Sequence, residues 1–271
     1  MIQSERIRVL VTGATGRVGR EVLAAVIRES DMELVGAVDP QGAGTGVGAL
    51  LPNSSADMVV SADLWQTIAA TRPHVMVDFT TPAVVVDNIR IAIEAGVCPV
   101  VGTTGIPETR IDEIRQLADD KKVGVLIAPN FAIGAVLMME FAVKAAQYLP
   151  DVEIIELHHE RKLDAPSGTA LLTARKIVEA REAAAVGDDE PGSPESDQAV
   201  ARGENYRGIR IHSVRLPGFV AHQEVIFGGL GQILTIRHDS TDRRSFMPGI
   251  LLAIRKVRSL TGLVIGLEYI L

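Results

Sequence analysis

A glycine-rich stretch follows the first apolar run of the chain and reads Val11-Thr12-Gly13-Ala14-Thr15-Gly16-Arg17-Val18-Gly19. The apolar run Ile7–Thr12 predicts a strand, and helical spacing follows over Arg17–Ser30. Glycines at such a junction allow a tight turn, and the free N–H groups of the helix start can meet a pyrophosphate. The stretch therefore predicts the phosphate loop of a dinucleotide-binding fold, although its G-x-x-G-x-x-G spacing also fits a plain turn between strand and helix.

Strands and helices continue to alternate through the first half of the chain. Four further strands are predicted, at Leu34–Asp39, Val75–Phe79, Pro99–Val101 and Val123–Ala128. Helical spacing predicts helices at Ala83–Ala95 and Glu108–Asp120. The apolar runs are continuous and do not alternate with polar residues, which is typical of strands covered by helices on both faces. This half predicts an α/β fold with a Rossmann-like, doubly wound parallel sheet.

The order of elements changes in the second half of the chain. A helix over Ile133–Leu149 precedes a strand at Val152–His159 and a helix at Gly168–Glu182. Three successive strands follow, at Ile209–Arg215, Phe219–Phe227 and Ile233–His238. Strands joined by turns predict a second α+β domain with a mixed or antiparallel sheet. Residues 185–204, rich in Gly, Pro, Ser and acidic residues, predict a solvated loop, and the spacing over Phe246–Leu260 predicts a last helix.

Composition and charge limit the partners of the chain. Its 271 residues are 47% hydrophobic and 23% charged, as in ordinary globular proteins. A net charge of -7 gives nucleic acids and anionic membranes no general attraction, so an anionic ligand must be met by local donors. The most apolar region, Val123–Val143, is interrupted by Pro129, Asn130 and Glu140 and is not expected to span a membrane. A single cysteine, Cys98, and a start without a secretory apolar segment predict the cytoplasm.

An acidic residue stands where dinucleotide folds bind the adenosine ribose. Asp39 ends the second predicted strand about twenty residues beyond the glycine stretch, where a carboxylate can accept hydrogen bonds from the ribose hydroxyls. The same carboxylate would repel a 2′-phosphate, and Pro40 follows where a basic residue would help NADPH, so NADH is favoured. Arg17 at the helix start could instead reach a 2′-phosphate, so use of both cofactors stays open, as does a simple turn role for Asp39.

Two further segments follow predicted strands of the first half. They are Gly102-Thr103-Thr104-Gly105 and Ala128-Pro129-Asn130-Phe131. The carboxyl ends of parallel strands meet at one edge of a sheet, where ligands of open α/β folds bind. Either segment alone fits an ordinary connection, but together they are predicted to line the nicotinamide side of a cofactor site.

The densest group of reactive side chains reads Glu156-Leu157-His158-His159-Glu160-Arg161-Lys162-Leu163-Asp164-Ala165-Pro166-Ser167-Gly168-Thr169-Ala170. Two imidazoles and an ammonium between His158 and Lys162 offer a proton donor near neutral pH and positive charge. The hydroxyls and free N–H groups of the helix start at Ser167 can hold a carboxylate. The run would suit a dianionic substrate, whereas the simpler interpretation is a solvated strand end followed by a capped helix.

Metal binding and serine hydrolysis fit this run poorly. Successive strand residues point to opposite faces, so His158, His159 and Glu160 are not expected to share one ion. The H-E-x-x-H and C-x-x-C spacings are absent from the sequence, and Ser167 does not lie in a G-x-S-x-G turn. No metal is therefore predicted.

The run from Glu156 to Ala170 resembles the corresponding segment of the 4-hydroxy-tetrahydrodipicolinate reductases, or dihydrodipicolinate reductases. Further blocks resemble family segments in the same order, namely Gly13–Gly19, Asp78-Phe79-Thr80, Gly102–Gly105, Ala128–Phe131 and His238…Arg243…Phe246. The resemblance spans nearly the whole chain. It implies a dinucleotide-binding domain over 1–131 and 240–271, and a substrate-binding and oligomerisation domain over 132–239 in a homotetramer.

The resemblance also implies an activity and a role for each matching residue. The activity is NADH- or NADPH-dependent reduction of (2S,4S)-4-hydroxy-2,3,4,5-tetrahydrodipicolinate to (S)-2,3,4,5-tetrahydrodipicolinate, in lysine and diaminopimelate biosynthesis. His158 and Lys162 would be the proton donors. The substrate carboxylates would be held by His159, Ser167, Gly168 and Thr169. The cofactor would be held by Gly13, Ala14, Thr15, Gly16, Arg17, Val18, Asp39, Gly102, Thr103, Thr104, Ala128, Pro129, Asn130 and Phe131.

Two other functions stay open on the residues alone. A nicotinamide-dependent amino-acid dehydrogenase would share the features of the first half but not the segment Lys162–Thr169. A regulator that senses nicotinamide cofactors without catalysis would share the fold, because a fold does not fix a function. Such a regulator would not need His158, His159 and Lys162 together with the helix start.

Overall fold

The structure, a computed structural model, describes residues 5–51, 57–184 and 199–271. The chain divides into two compact units, of which the first ends at Phe131 and is completed by Phe246–Leu271. The second unit is Ala132–Ser245. In this division the chain returns to the first unit at Phe246, after the last strand of the second sheet has ended at Ser240.

The elements follow one another in an order close to the predicted one. The strands are β1 (Ile7–Thr12), β2 (Met32–Val38), β3 (Val75–Asp78), β4 (Cys98–Val101), β5 (Val125–Ile127), β6 (Asp151–His158), β7 (Glu204–Tyr206), β8 (Ile209–Arg215), β9 (Ala221–Gly229), β10 (Gln232–Ser240) and β11 (Leu263–Ile265). The α-helices are α1 (Arg17–Arg28), α2 (Val47–Leu50), α3 (Leu64–Thr71), α4 (Val85–Glu94), α5 (Glu108–Lys121), α6 (Ile133–Ala146), α7 (Gly168–Ala184) and α8 (Met247–Lys256). Short 3-10 helices lie at Pro40–Gly42, Ala199–Arg202, Arg243–Phe246, Val257–Ser259 and Leu267–Ile270.

The sheet of the first unit is parallel throughout. Its strand order is β11-β5-β4-β3-β1-β2, and each neighbouring pair runs in the same direction. The central strands are buried on both sides, as their continuous apolar sequences predict; Val9, Leu10 and Val11 are fully buried. One apolar cluster joins β4 and β5 to α4 and α5, and another joins β1 and β3 to α3. The predicted doubly wound parallel sheet is confirmed.

The sheet of the second unit is mixed. Its order is β10-β9-β6-β8-β7, with β6 and β8 parallel and the other pairs antiparallel. Helices α6 and α7 pack on each other and against this sheet. Alternate residues of β6 are buried, so Ile154 and Glu156 point into the unit while their neighbours point out. Of the two predicted forms, mixed and antiparallel, the mixed one is therefore correct.

Several expectations needed correction. The predicted helix Phe246–Leu260 is α8 with a 3-10 helix on each side. Of the predicted loop at 185–204, residues 185–198 lie outside the described residues, while Ala199–Arg202 form a 3-10 helix and Glu204 begins β7. The short strand β11 escaped prediction because three apolar residues show no periodicity. Within the described ranges, no helix combines the length and the hydropathy that crossing a bilayer requires.

Candidate active site

The glycine loop between β1 and α1 packs too closely for side chains. Gly13 has a φ of +70°, in the left-handed region, and a Cβ at this position would overlap the carbonyl of Phe79. A Cβ at Gly19 would overlap the carbonyl of Gly13. Gly16 is the N-cap residue of α1 and has no side chain to bond the first N–H groups of the helix. Those N–H groups are therefore suited to an anion such as a pyrophosphate.

Asp39 joins the end of β2 to this glycine loop. Its Oδ2 accepts a hydrogen bond from the Thr15 N–H at 3.0 Å and another from the Thr15 hydroxyl, and its Oδ1 accepts one from the Gln41 N–H at 3.1 Å. The residue is half-buried. A carboxylate thus lies beside the glycine loop, and its contact with the ribose stays a prediction.

The Asp39→Asn variant should shift cofactor preference towards NADPH. The amide keeps an oxygen that can accept from Thr15, but it removes the negative charge that would repel a 2′-phosphate. The ratio of the dissociation constants for NADPH and NADH, measured by fluorescence titration, should fall at least about tenfold. Asp63→Asn is the matched control, since Asp63 also caps a helix of the first unit, by accepting from the Gln66 N–H at 2.9 Å. An unchanged ratio in Asp39→Asn would place the adenosine ribose elsewhere.

Asp78, at the end of β3, gathers the loops beside the glycine stretch. Its side chain is fully buried. Oδ1 accepts from the N–H of Thr80 at 3.0 Å, from its hydroxyl at 2.7 Å and from the Thr103 hydroxyl at 2.9 Å. Oδ2 accepts from the Thr12 hydroxyl and the Asn88 amide, both at 2.8 Å. One carboxylate therefore fixes the ends of β1, β3 and β4 and the start of α4.

The predicted segments after β4 and β5 lie at the same edge of the sheet. The ring of Phe79 occupies the space that a Cβ at Gly102 would need, and its centroid lies 5.8 Å from that of Phe131. Thr103 is buried and bonded to Asp78, whereas Thr104 is exposed. The remaining members, Ala128, Pro129 and Asn130, continue from β5 towards Phe131. The structure thus gathers these cofactor candidates at the carboxyl ends of neighbouring strands.

In the second unit, β6 ends on a buried carboxylate beside an imidazole. Glu156 and His158 are two residues apart on the strand and therefore share a face. Oε2 of Glu156 lies 2.5 Å from Nδ1 of His158, and the Glu156 side chain is fully buried. Because β6 and β8 are parallel neighbours, Arg215 at the end of β8 reaches the same carboxylate, with NH1 2.8 Å from Oε2 and NH2 2.7 Å from Oε1.

This group is held ionised by its partners. Burial by itself would raise the pKa of Glu156, but hydrogen bonds from His158, Arg215 and Ser213 outweigh it and lower that pKa to about 2, from an ordinary 4.5. A bidentate guanidinium is the strongest of these donor types, because two N–H groups meet two oxygens at once. A buried charge is thus balanced next to the predicted proton donor.

The lowered pKa of Glu156 predicts a specific loss of stability in acid. Since the folded-state pKa lies below the unfolded value, the contribution is present above pH 4.5 and is lost as the pH falls towards 2. Between about pH 6 and about pH 3, the free energy of unfolding of the native chain should fall about 2 kcal/mol more than that of Glu156→Gln. Urea titrations at each pH measure both slopes. Parallel pH curves would show that Glu156 is not the responsible group.

Lys162 and His159 lie in the loop after β6. The Nζ of Lys162 is 2.8 Å from each carboxylate oxygen of Asp164, and this contact lowers the pKa of Asp164. The backbone carbonyl of His159 accepts from the Lys162 N–H at 3.1 Å, which bends the loop. A substrate carboxylate would therefore compete with Asp164 for the ammonium.

Ser167 prepares the start of α7 for an anion. Its Oγ accepts from the Ala170 N–H at 3.2 Å, which is the bond of an N-cap serine, and the residue is buried. Its own N–H donates to Oε1 of Glu156 at 3.2 Å. Gly168, where a Cβ would meet nothing within 4 Å, is exposed beside the half-buried Thr169. The helix start that is predicted to bind a ligand carboxylate is thus bonded, like His158, to the side chain of Glu156.

Sequence reasoning assigned no individual role to four members of these groups. Arg215 lies 59 residues from Glu156 along the chain, and only the pairing of β6 with β8 joins them. Glu156 and Asp164 stand inside the predicted reactive run, where their spacing from His158 and Lys162 was the available signal. Asp78 was noticed only as part of a resembling block.

Other reactive groups offer little chemistry. Cys98 is a free thiol, and burial raises its pKa, so it is a poor nucleophile at neutral pH. Among the residues placed by the structure, no group of three or more His, Cys, Asp or Glu side chains could hold a metal ion.

Comparison with known protein families gives matches over both units. The model described as "Dihydrodipicolinate reductase, N-terminus" matches residues 7–131, and the one described as "Dihydrodipicolinate reductase, C-terminus" matches residues 134–271. A 4-hydroxy-tetrahydrodipicolinate reductase of Moorella thermoacetica is 53% identical over 266 residues, which are 98% of each chain. One of Desulfitobacterium hafniense is 54% identical over 265 residues, 97% of this chain and 98% of the relative.

Solved structures agree in fold. The structure titled "Dipicolinate bound Dihydrodipicolinate reductase from Paenisporosarcina sp. TG-14" matches with a TM-score of 0.85 and 44% identity, over 98% of this chain and 100% of the other. An amine dehydrogenase of Mycobacterium smegmatis matches with a TM-score of 0.65 but only 17% identity, over 97% and 95% of the two chains. The second likeness concerns the fold alone.

Proposed function

This chain belongs to the dihydrodipicolinate reductase family, and from that premise we propose how its own residues serve the family's reaction. The protein is a 4-hydroxy-tetrahydrodipicolinate reductase that uses NADH or NADPH. It converts (2S,4S)-4-hydroxy-2,3,4,5-tetrahydrodipicolinate, with loss of water, to (S)-2,3,4,5-tetrahydrodipicolinate. The observation that carries this conclusion is the match to reductases at 53% identity over 98% of both chains.

The first unit fits a nicotinamide dinucleotide. Side chains at Gly13 and Gly19 would overlap backbone carbonyls, so glycine at these positions allows the tight turn that precedes the start of α1. We assign the pyrophosphate to the backbone of Gly13–Val18 and the adenosine ribose to Asp39. The nicotinamide side belongs to Gly102–Thr104 and Ala128–Phe131. When bound, the reduced cofactor supplies a hydride to C4 of the dehydrated substrate.

The second unit fits a small dicarboxylate. The start of α7 offers the N–H groups of Gly168 and Thr169 together with the Thr169 hydroxyl. Lys162 and His159 add cationic or neutral donors beside it. Donors on the helix start and donors on the loop form two separate groups, so a substrate with two carboxylates could place one against each group. We therefore assign substrate binding to Ser167, Gly168, Thr169 and His159.

Two side chains supply the proton that the reduction needs. Hydride addition at C4 leaves an electron-rich enamine, which must gain a proton to give the product. Among the groups next to the proposed carboxylate site, His158 and Lys162 each carry an exchangeable proton. We assign proton transfer to His158, with Lys162 as second donor and as the cation that orients a substrate carboxylate.

We propose that the chain assembles as a homotetramer through the second unit. Large apolar side chains stand exposed on its β9–β10 hairpin, including Leu230 at 103% and Ile233 at 77%. Apolar groups exposed together favour a protein partner. The family resemblance implies four subunits, so sedimentation should give a mass four times that of one chain, and a monomer would contradict this assignment. The free thiol of Cys98 suits a reducing compartment, so we also propose the cytoplasm.

A coupled assay tests the function directly. The unstable substrate is generated in the cuvette by the preceding condensation, and absorbance loss is followed with NADH and with NADPH in parallel. Oxidation of at least one cofactor, dependent on the substrate, is expected. If both cofactors stay reduced while the protein binds them, the chain is a binding protein or a dehydrogenase for another acid, and an amino-acid substrate screen separates these two.

A further inference from the structure

Glu156 makes more contacts than its burial requires. One oxygen, Oε2, meets His158 Nδ1 at 2.5 Å and Arg215 NH1 at 2.8 Å. The other, Oε1, meets Arg215 NH2 at 2.7 Å and the Ser167 N–H at 3.2 Å. Besides stabilising the buried charge, the bonds to His158 and Ser167 join Glu156 to two groups of the proposed active site.

The contact with His158 decides which ring nitrogen faces the substrate. A carboxylate can only accept, so the Nδ1 that lies against it must carry a hydrogen. Nε2 then points away from Glu156 and is the nitrogen through which the ring can give or take a proton. If the ring could rotate or change tautomer, either nitrogen could face the substrate, and proton transfer would no longer be confined to Nε2.

The contact with Ser167 fixes the proposed carboxylate-binding helix start relative to His158. Ser167 caps α7 through its bond to the Ala170 N–H, so its backbone position sets where the helix start lies. Because one carboxylate holds both the imidazole and this backbone N–H, the proton donor and the carboxylate cradle cannot shift independently. Displacement by about 1 Å can cost roughly a hundredfold in rate, so a shared anchor is useful.

Arg215 connects Glu156 to the loop that carries Lys162. Its NH2 also donates to the backbone carbonyl of Asp164 at 2.8 Å, and Asp164 pairs with the Lys162 ammonium. The guanidinium thus connects Glu156 to the second proton donor. The pairing of β6 with β8 brings Arg215 to the end of β6, where its register partner is His158.

We propose that Glu156, paired with Arg215, is a positioning residue that fixes the Nδ1–H tautomer of His158 and aligns its Nε2 with the carboxylate-binding start of α7. The inference rests on the proposed role of His158. Glu156 does not touch the substrate in this scheme and acts only through the ring and the helix start.

The first test needs no substitution at Glu156. In protein labelled with ¹⁵N, two-bond proton–nitrogen correlation spectra show which nitrogen of each imidazole carries hydrogen, and the His158 signals are assigned by their loss in His158→Gln. The neutral ring of His158 should carry its hydrogen on Nδ1. A neutral ring with its hydrogen on Nε2 would overturn the proposal, whatever the activity of the enzyme.

The second test compares Glu156→Gln with a matched control. Glu153→Gln removes a carboxylate from the same strand, and Glu153 also pairs with an imidazole, His212 Nε2 at 2.8 Å. Glu156→Gln should lower kcat by about 10- to 100-fold and raise KM for the substrate, with NADH affinity unchanged. Glu153→Gln should stay within about twofold of the native kcat, an effect below 0.5 kcal/mol. The assembly state of each variant is checked by sedimentation.

The outcomes separate this inference from the function beneath it. Native kcat in Glu156→Gln would overturn the positioning role, while native kcat in His158→Gln would overturn the role of His158 itself. If Glu156→Gln does not fold, Glu156→Asp keeps the charge but withdraws the carboxylate by one methylene. That variant should show the same fall in kcat, and a native value would again contradict the proposal.

Discussion

The His158→Gln variant should lower kcat by roughly 10²–10⁴, because positioned proton transfer to the enamine is worth about that factor. Glutamine fills a similar volume but cannot give up a proton near neutral pH. NADH should bind as in the native protein, since His158 lies in the second unit and the proposed cofactor residues lie in the first. Stopped-flow turnover with substrate generated in place, together with fluorescence titration of NADH, measures the two quantities separately.

Lys162→Ala should lower kcat at least about tenfold by the same argument and should also raise KM, because it removes a cation as well as a proton. Two substitutions serve as controls. His212→Gln removes another imidazole that is bonded to a glutamate of β6, and Lys144→Ala removes a lysine of α6. Both controls should keep native turnover. If His158→Gln and Lys162→Ala also keep it, the proton must come from another group or from water.

The sheets could be predicted from sequence because their strands carry a physical pattern. The central part of β1, Val9–Val11, is buried on both sides and is therefore apolar without interruption. By contrast, β6 buries every second residue and alternates accordingly. Short elements lack such a pattern. β7 has three residues, two of them polar, and β11 has three apolar residues whose partner strand, β5, is distant in the chain. The equally short β5 could be predicted because it lies inside the longer apolar run Val123–Ala128.

The candidate site was predictable as far as its residues are contiguous. His158, Lys162 and Ser167 stand within one run, so their chemistry could be recognised together. The partner that balances the site, Arg215, comes from another strand and becomes visible only when β8 pairs with β6. Sequence identifies which groups can react. The fold decides which charge each group faces, and that decides the ionisation of Glu156.

The Asp78→Ala variant should lower the free energy of unfolding by about 2–5 kcal/mol, since buried donors left without an acceptor cost about 1–3 kcal/mol each and hydroxyls can partly turn elsewhere. Five hydrogen bonds from four residues converge on this side chain. The stability of Asp78→Asn should lie between those of the native protein and Asp78→Ala, because the asparagine oxygen still accepts hydrogen bonds while its NH2 group must face donors on the other side. Asp87→Asn is the control, as Asp87 is exposed on α4 of the same unit, and it should stay within about 0.5 kcal/mol.

Cofactor affinity should fall with the stability of this network. Thr80 and Thr103 follow β3 and β4, and without Asp78 the loops that carry them lose their bonds to the end of β3 and, through it, to Thr12 before the glycine loop. NADH should bind Asp78→Asn roughly tenfold more weakly, which is 1.4 kcal/mol of binding free energy, under conditions where the variant is fully folded. Folded Asp78→Asn with native NADH affinity would mean that the loops keep their shape through packing alone, chiefly through the rings of Phe79 and Phe131. Weakened binding would instead show that a buried carboxylate, which touches no part of the cofactor, sets the geometry of its site.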